Sequence, residues 1–278
     1  MENSVMFNKI ISELKLGTLI AQPQRVSGGY LHKMYCLRTT SGKYAVKLLN
    51  PEIMKRPDVF QNYQTAERLE KVLQKNNIPI VPAMEINNRR MQCIEKQYFY
   101  IFKWVEGSTL EWKEIKKEHC EIVGSILAKI HKIEQSDKPT DMEEICIDWD
   151  SYISMANTSC PEIAGALTNC RELLYIGQEE YNTAIKNIPA VTCICDSDMD
   201  SKNVMWVNGD PFIIDLECLG YGNPFWEMYQ HALSWSGDVI CRIDNALLKV
   251  FITSYKREYG EFDIDWNVLH GSGYKWLD

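Results

Sequence analysis

The chain has 278 residues, 45% of them apolar and 24% charged, which is ordinary for a globular protein and enough for a sizeable core. A net charge of −8 argues against a nucleic-acid surface and suits a cationic small-molecule partner. No apolar run approaches the ~18 to 20 residues that cross a bilayer, so no membrane partner is expected.

Ten cysteines are scattered along a chain that opens Met1-Glu2-Asn3-Ser4-Val5 with no signal-peptide apolar core, so we expect reduced thiols and a cytoplasmic location. Val5, Ile10, Ile11, Leu14 and Leu16 predict a short amphipathic helix. Ser27-Gly28-Gly29 follows. Glycines let backbone approach a ligand closely and leave N–H groups for phosphate, although the triplet taken alone reads as a turn. Tyr44 to Leu49 predicts a strand with Lys47 inside an apolar run, where an ammonium either reaches solvent or needs a buried carboxylate. The polar helix expected over residues 59–76 should supply that carboxylate. Glu67 is chosen, with Glu70 bordering the same face. Residues 80–86 and 91–102, joined by a turn at Asn87-Asn88-Arg89-Arg90, predict two further strands of an antiparallel sheet. Tyr98 to Phe102 reads as a buried strand running into Lys103-Trp104-Val105-Glu106-Gly107.

A one-faced helix is expected over residues 113–133, with His131 as a buried structural side chain. Residues 134–148 read as an irregular linker, 161–188 as a helix that Gly177 could break, and 190–195 as a strand. Cys193 and Cys195, with no second Cys/His pair at zinc-finger spacing, read as small fillers of that strand. Val204 to Val207 and Phe212 to Ile214 flank Asn208-Gly209, the strongest short-range signal for a hairpin. With the reversal centred on Gly209, Asn203 would face Asp215 across the ladder. An amide and a carboxylate there suit a hard cation such as Mg²⁺.

Asp198, four intervening residues, Asn203 and then Asp215 at the end of a hairpin have the spacing of a protein-kinase-like catalytic loop. With Ile213-Ile214-Asp215-Leu216-Glu217 running into Gly220-Tyr221-Gly222-Asn223-Pro224, and Val105-Glu106-Gly107-Ser108-Thr109-Leu110 after the buried strand, the chain resembles the aminoglycoside phosphotransferase and choline kinase superfamily. That resemblance implies an α+β, two-lobed protein-kinase-like fold. Residues 1–102 would form an antiparallel-sheet N-lobe, 103–107 the hinge and 108–278 a mainly helical C-lobe. It implies Asp198 as catalytic base, Asn203 and Asp215 as Mg²⁺ ligands, and Lys47 with Ser27, Gly28 and Gly29 on the phosphates of ATP or GTP. The hinge backbone at Lys103, Trp104 and Val105 would meet the adenine. Asp200, Glu217, Glu227 and Trp226 are the acceptor-side candidates, the last through cation–π stacking, although aromatics at helical spacing also read as core. No G-x-x-x-x-G-K-[ST] cradle occurs.

The implied activity is transfer of a γ-phosphoryl group to a hydroxyl of a small molecule, aminoglycoside-like, with choline, ethanolamine or homoserine as alternative acceptors. One departure matters. The family carries His two residues before the base, and this chain carries Asp196, which adds charge beside Asp198 and cannot donate a hydrogen bond. The alternative is therefore a nucleotide-binding pseudokinase. The chain stops at Tyr274-Lys275-Trp276-Leu277-Asp278 where family members continue, so terminal helices on the acceptor side are expected to be missing.

Overall fold

A computed structural model of the chain describes residues 2–26 and 31–274. In chain order the elements are α1 (Glu2–Glu13), β1 (Gln24–Val26), β2 (Lys33–Thr39), β3 (Gly42–Leu48), α2 (Val59–Lys75), β4 (Gln92–Ile94), β5 (Gln97–Lys103), α3 (Lys117–His131), α4 (Trp149–Ser159), α5 (Pro161–Asn187), β6 (Cys193–Cys195), β7 (Val204–Val207), β8 (Asp210–Ile213), β9 (Gly220–Gly222), α6 (Pro224–Ser234), α7 (Asn245–Tyr259) and α8 (Trp266–Ser272). The fold class is α+β, and the chain divides into two compact units, Met1–Glu111 with Ser201–Gly220, and Trp112–Asp200 with Tyr221–Asp278.

The first unit is built on an antiparallel sheet in the order β1-β2-β3-β5-β4. Alternation along β5 decides what covers each face. Phe99 and Ile101 point to a core made by Phe7, Ile10 and Ile11 of α1 with Leu37 and Val46, whereas Tyr100 and Phe102 pack with Tyr63 of α2 and Ala83. Val5, expected on the inner face of α1, is 71% exposed, and Phe7 takes its place in the core.

Two strand expectations fail for visible reasons. Residues 80–86 form only isolated bridges, Ile80 to Ile213, Ala83 to Phe102 and Ile86 to Arg89, because Pro82 lacks the N–H a ladder requires. Residues 91–102 are two strands rather than one, split by Glu95 and Lys96 at φ 50° and 65°, a left-handed pair that closes a tight turn without glycine.

The hairpin β7–β8 belongs to the first unit, so the division at residues 102 and 108 expected from chain order does not match the compact units. Val81 N–H donates to Ile213 O, and Ser108 and Trp206 exchange both backbone bonds at 3.2 and 2.8 Å. Gly107 permits that approach, since a Cβ there would sit 2.6 Å from Trp206 O.

The second unit is mostly helical. Helix α3 lies against α7 so closely that a Cβ on Gly124 would fall 2.6 Å from Phe251 O. Val123, Ile126, Leu127 and Ile130 are buried along α3, and each buried side chain of this size stabilises the fold by roughly 1.5–3 kcal/mol. Helix α5 continues unbroken through Gly177, which is buried. The segment before α4 is irregular as expected, yet pinned: Asn182 exchanges two 2.8 Å bonds with the backbone of Ile145. Among the described residues no helix is long and apolar enough to cross a membrane.

Candidate active site

In the first unit the hairpin register differs from expectation by one residue. The turn is Asn208-Gly209, both left-handed at φ 52° and 92°, the two-residue reversal whose twist matches paired strands. Val207 therefore faces Asp210, Val204 faces Ile213, and Ile214 N–H donates to Asn203 O at 2.9 Å. Asn203 pairs with Ile214, not Asp215. A slip of one residue would send Asp215 to the opposite face, but its backbone leaves the ladder in the left-handed region at φ 63° and ψ 50°, which re-aims the side chain.

Asp215 is directed at Lys47. The ammonium of Lys47, 7% exposed, lies 2.5 Å from Asp215 Oδ1 and 2.6 Å from Glu217 Oε2. Burial alone would lower the Lys47 pKa, but the two carboxylates more than offset it and hold the amine above its usual range. Glu217 receives further support from His32 Nε2 at 3.3 Å and the Tyr63 hydroxyl at 3.4 Å. His32 is fixed in turn, since Asn50 N–H donates to its Nδ1 at 3.0 Å. Burial pushes the Glu217 carboxyl up, yet the His32 and Lys47 contacts win and hold it down at about 2. Burial, together with the same carboxylate, raises the Tyr63 hydroxyl above its ordinary value.

Three expected roles are thereby corrected. Glu67 is not the partner of Lys47: it accepts from Met91 N–H at 3.0 Å and the Tyr100 hydroxyl at 2.9 Å. Glu70 is held by Arg90 and by Ala83 N–H, so α2 offers Lys47 no carboxylate and Tyr63 stands in that region instead. Glu217, expected on the acceptor side, is the second anchor of Lys47. Sequence signals this only through its position two residues after Asp215, on the short turn at Leu216–Cys218 that packs by α2. Ser27, Gly28 and Gly29 lie outside the described residues. In the segment expected to be the hinge, Trp104 N–H donates to Lys43 O at 3.0 Å, and Lys43 Nζ sits 4.3 Å above the Trp104 ring.

Divalent cations of the Mg²⁺ type need hard oxygen ligands. Asn203 and Asp215 provide an amide and a carboxylate, and Asp215 keeps 38% of its side chain exposed, so the donor chemistry fits such an ion.

The second unit carries the loop from β6. Asp196 is buried, Ser197 is left-handed at φ 59°, and Asp198 is half-buried. Glu227 is not available to an acceptor. It is 1% exposed, its Oε2 lies 2.6 Å from His131 Nε2, and Ser197 N–H donates to Oε1. Asp200 accepts from Ser234 Oγ at 2.6 Å, and Trp226 Nε1–H donates to Ser272 O at 3.1 Å. His131 is buried and structural as expected, with Nδ1 2.8 Å from the Tyr255 hydroxyl. Cys193 and Cys195 are buried in β6, their sulfurs 4.0 Å apart.

An antiparallel sheet carrying a carboxylate-anchored lysine, joined to a hairpin that follows an Asp-x₄-Asn loop, defines a small-molecule phosphotransferase of the protein-kinase-like class. The sequence matches the phosphotransferase enzyme family over residues 23–263, and the chain belongs to that family. No curated protein matches it by sequence. Among solved structures it is similar to spectinomycin phosphotransferase in complex with ADP and spectinomycin, at 14% identity over 96% of this chain and 84% of that one, TM-score 0.68. It is also similar to amicoumacin kinase in complex with AMP-PNP and Ca²⁺, at 11% identity over 99% and 86%, TM-score 0.65. Plasmodium vivax ethanolamine kinase follows at 16% identity over 92% and 73%, TM-score 0.57. At these identities the likeness is one of fold.

Proposed function

We propose that the protein is a Mg²⁺-dependent kinase that moves the γ-phosphoryl group of ATP or GTP to a hydroxyl of a small molecule. The observation that carries this reading is the buried Lys47 ammonium clamped by Asp215 and Glu217. The two carboxylates keep that cation charged and fixed in place, and phosphoryl transfer depends chiefly on such fixed positive charge and on positioning. Lys47 would bind the α- and β-phosphates, and Asp198 would orient the acceptor hydroxyl and take its proton. Asn203 and Asp215 would hold Mg²⁺, which when bound neutralises charge on the phosphates. Because Trp104 N–H is already engaged, the backbone of Val105 and Lys103 is the better source of adenine contacts.

Spectinomycin and ethanolamine, named for the similar structures, support hydroxyl-bearing small molecules as the acceptor class. The chain's charge of −8 is compatible with cationic ones. An acceptor library containing aminoglycosides, choline, ethanolamine and homoserine, screened for ADP or GDP release at saturating Mg²⁺-nucleotide, tests the proposal. Asp198→Ala should lower turnover by roughly 10²- to 10⁴-fold while nucleotide binding persists. Unchanged turnover would remove Asp198 as the base.

A further inference from the structure

The loop that carries Asp198 is fastened on both sides to helix α6 and the residue after it. Ser197 N–H donates to Glu227, Met199 O accepts from Trp235 Nε1–H at 2.9 Å, and Asp200 accepts from Ser234 Oγ at 2.6 Å. Each neighbour of Asp198 is thus held by a group outside the loop. Ser197 pays for this with a left-handed backbone at φ 59°, a strain that persists only where surrounding contacts impose it.

Between two of these fastenings lies His231, 4% exposed. Its Nε2 is 3.5 Å from Glu227 Oε1 and its Nδ1 is 3.8 Å from Asp200 Oδ1. Those separations are too long for good directed hydrogen bonds, so the imidazole acts here as a charge between two carboxylates. Burial would strip its proton, but Asp200 and Glu227 more than offset burial and push its pKa up to about 10, so it is a cation at neutral pH.

We infer that His231 is a positioning residue for the reaction: its imidazolium holds Glu227 and Asp200 together and so fixes the loop segment that aims Asp198. Helix α6 thereby supplies, from outside the loop, the histidine that position 196 does not carry. This role rests on Asp198 being the base. The loop bears Asp196, Asp198 and Asp200, and Glu227 adds a fourth carboxylate against it. His131 keeps the other oxygen of Glu227, so removing the charge of His231 takes away the cation that lies between Glu227 Oε1 and Asp200 at the two ends of the segment they hold. A displacement of about 1 Å in a catalytic group can cost on the order of 10²-fold in rate.

The experiment uses the full chain and Mg²⁺-ATP, with water as acceptor. His231→Gln should lower kcat for hydrolysis by roughly 10- to 100-fold while KM for Mg²⁺-ATP moves less than about threefold, and His231→Lys, which restores a cation, should recover at least about fivefold of the loss. Hydrogen exchange at the Ser197 amide should quicken by about tenfold or more in the Gln variant and return toward the native rate in the Lys variant. A Gln variant with native kcat and native Ser197 protection, a rise in KM that matches the fall in kcat, or a Lys variant no better than Gln each overturns the inference. If His231→Gln does not fold, His231→Lys decides alone: folded and near-native supports the role, and unfolded or inactive refutes it. A native protein that neither binds nor hydrolyses nucleotide refutes the proposed function instead, and the fastening is then judged by Ser197 exchange in the two variants.

Discussion

Replacing Glu217 by Gln tests the anchoring of Lys47 with little change in shape. The Glu217 carboxyl is moved from its ordinary 4.5 to about 2, and that gap, at ~1.4 kcal/mol per tenfold, corresponds to about 3 kcal/mol of stabilisation at neutral pH. The raised pKa of Lys47 reports the same contact from the other side and is not counted again. The neutral amide would keep a hydrogen bond, and Asp215 would still hold Lys47, so the expected loss is about 2 kcal/mol. The sign of the pH dependence follows from the depressed acid. The stabilisation is complete above about 4.5, where the unfolded carboxyl is also ionised, and is lost as pH falls toward about 2. Urea denaturation of the native protein and Glu217→Gln, from pH 7 downward, measures it. The gap between the two midpoints should hold steady to about pH 5 and then narrow. Equal midpoints at pH 7, or a gap that widens on acidification, would show that Glu217 does not anchor Lys47.

Gly107→Ala places a methyl group where Trp206 O stands 2.6 Å away, and neighbouring backbone cannot step aside as a flexible side chain can. Overpacking of this kind costs about 1–3 kcal/mol, so the melting temperature should drop by roughly 3–10 °C. A shift below about 1 °C would mean that the Ser108–Trp206 pairing does not matter to stability. Asp196→His introduces the residue that the family resemblance implies two positions before Asp198, the proposed base. Because His231 already supplies a cation to the loop, hydrolysis of Mg²⁺-ATP should rise by less than about twofold. A gain of tenfold or more would instead identify Asp196 as the cause of weakened chemistry.

Sequence reasoning reaches the chemistry that depends on neighbours along the chain and misses the chemistry that depends on neighbours in space. The hairpin is readable because Asn208-Gly209 demands positive φ between two apolar runs, a purely local requirement. Its register is not, since centring the reversal on Gly209 or between Asn208 and Gly209 changes every partner by one residue. The αL backbone at Asp215 then decides its direction independently of the ladder. The partner of Lys47 is misplaced for a related reason. Glu67 and Glu70 lie on a helix beside the sheet at suitable spacing, but Tyr100, Met91 N–H and Arg90 compete for those carboxylates, and none of these competitors is signalled by helical periodicity.

Glu227 shows the opposite limit. An acid beside aromatics on an amphipathic helix reads as an open cation site, and nothing local reveals that His131, ninety-six positions earlier, and His231, one turn later, enclose it. The i to i+4 spacing of Glu227 and His231 is visible in the sequence, and it is the signal that points inward. Acidic character around Asp198 is therefore balanced from helices rather than within the loop. A family member that loses the loop histidine can keep the loop's shape as long as a buried cation reaches the same carboxylates from another element.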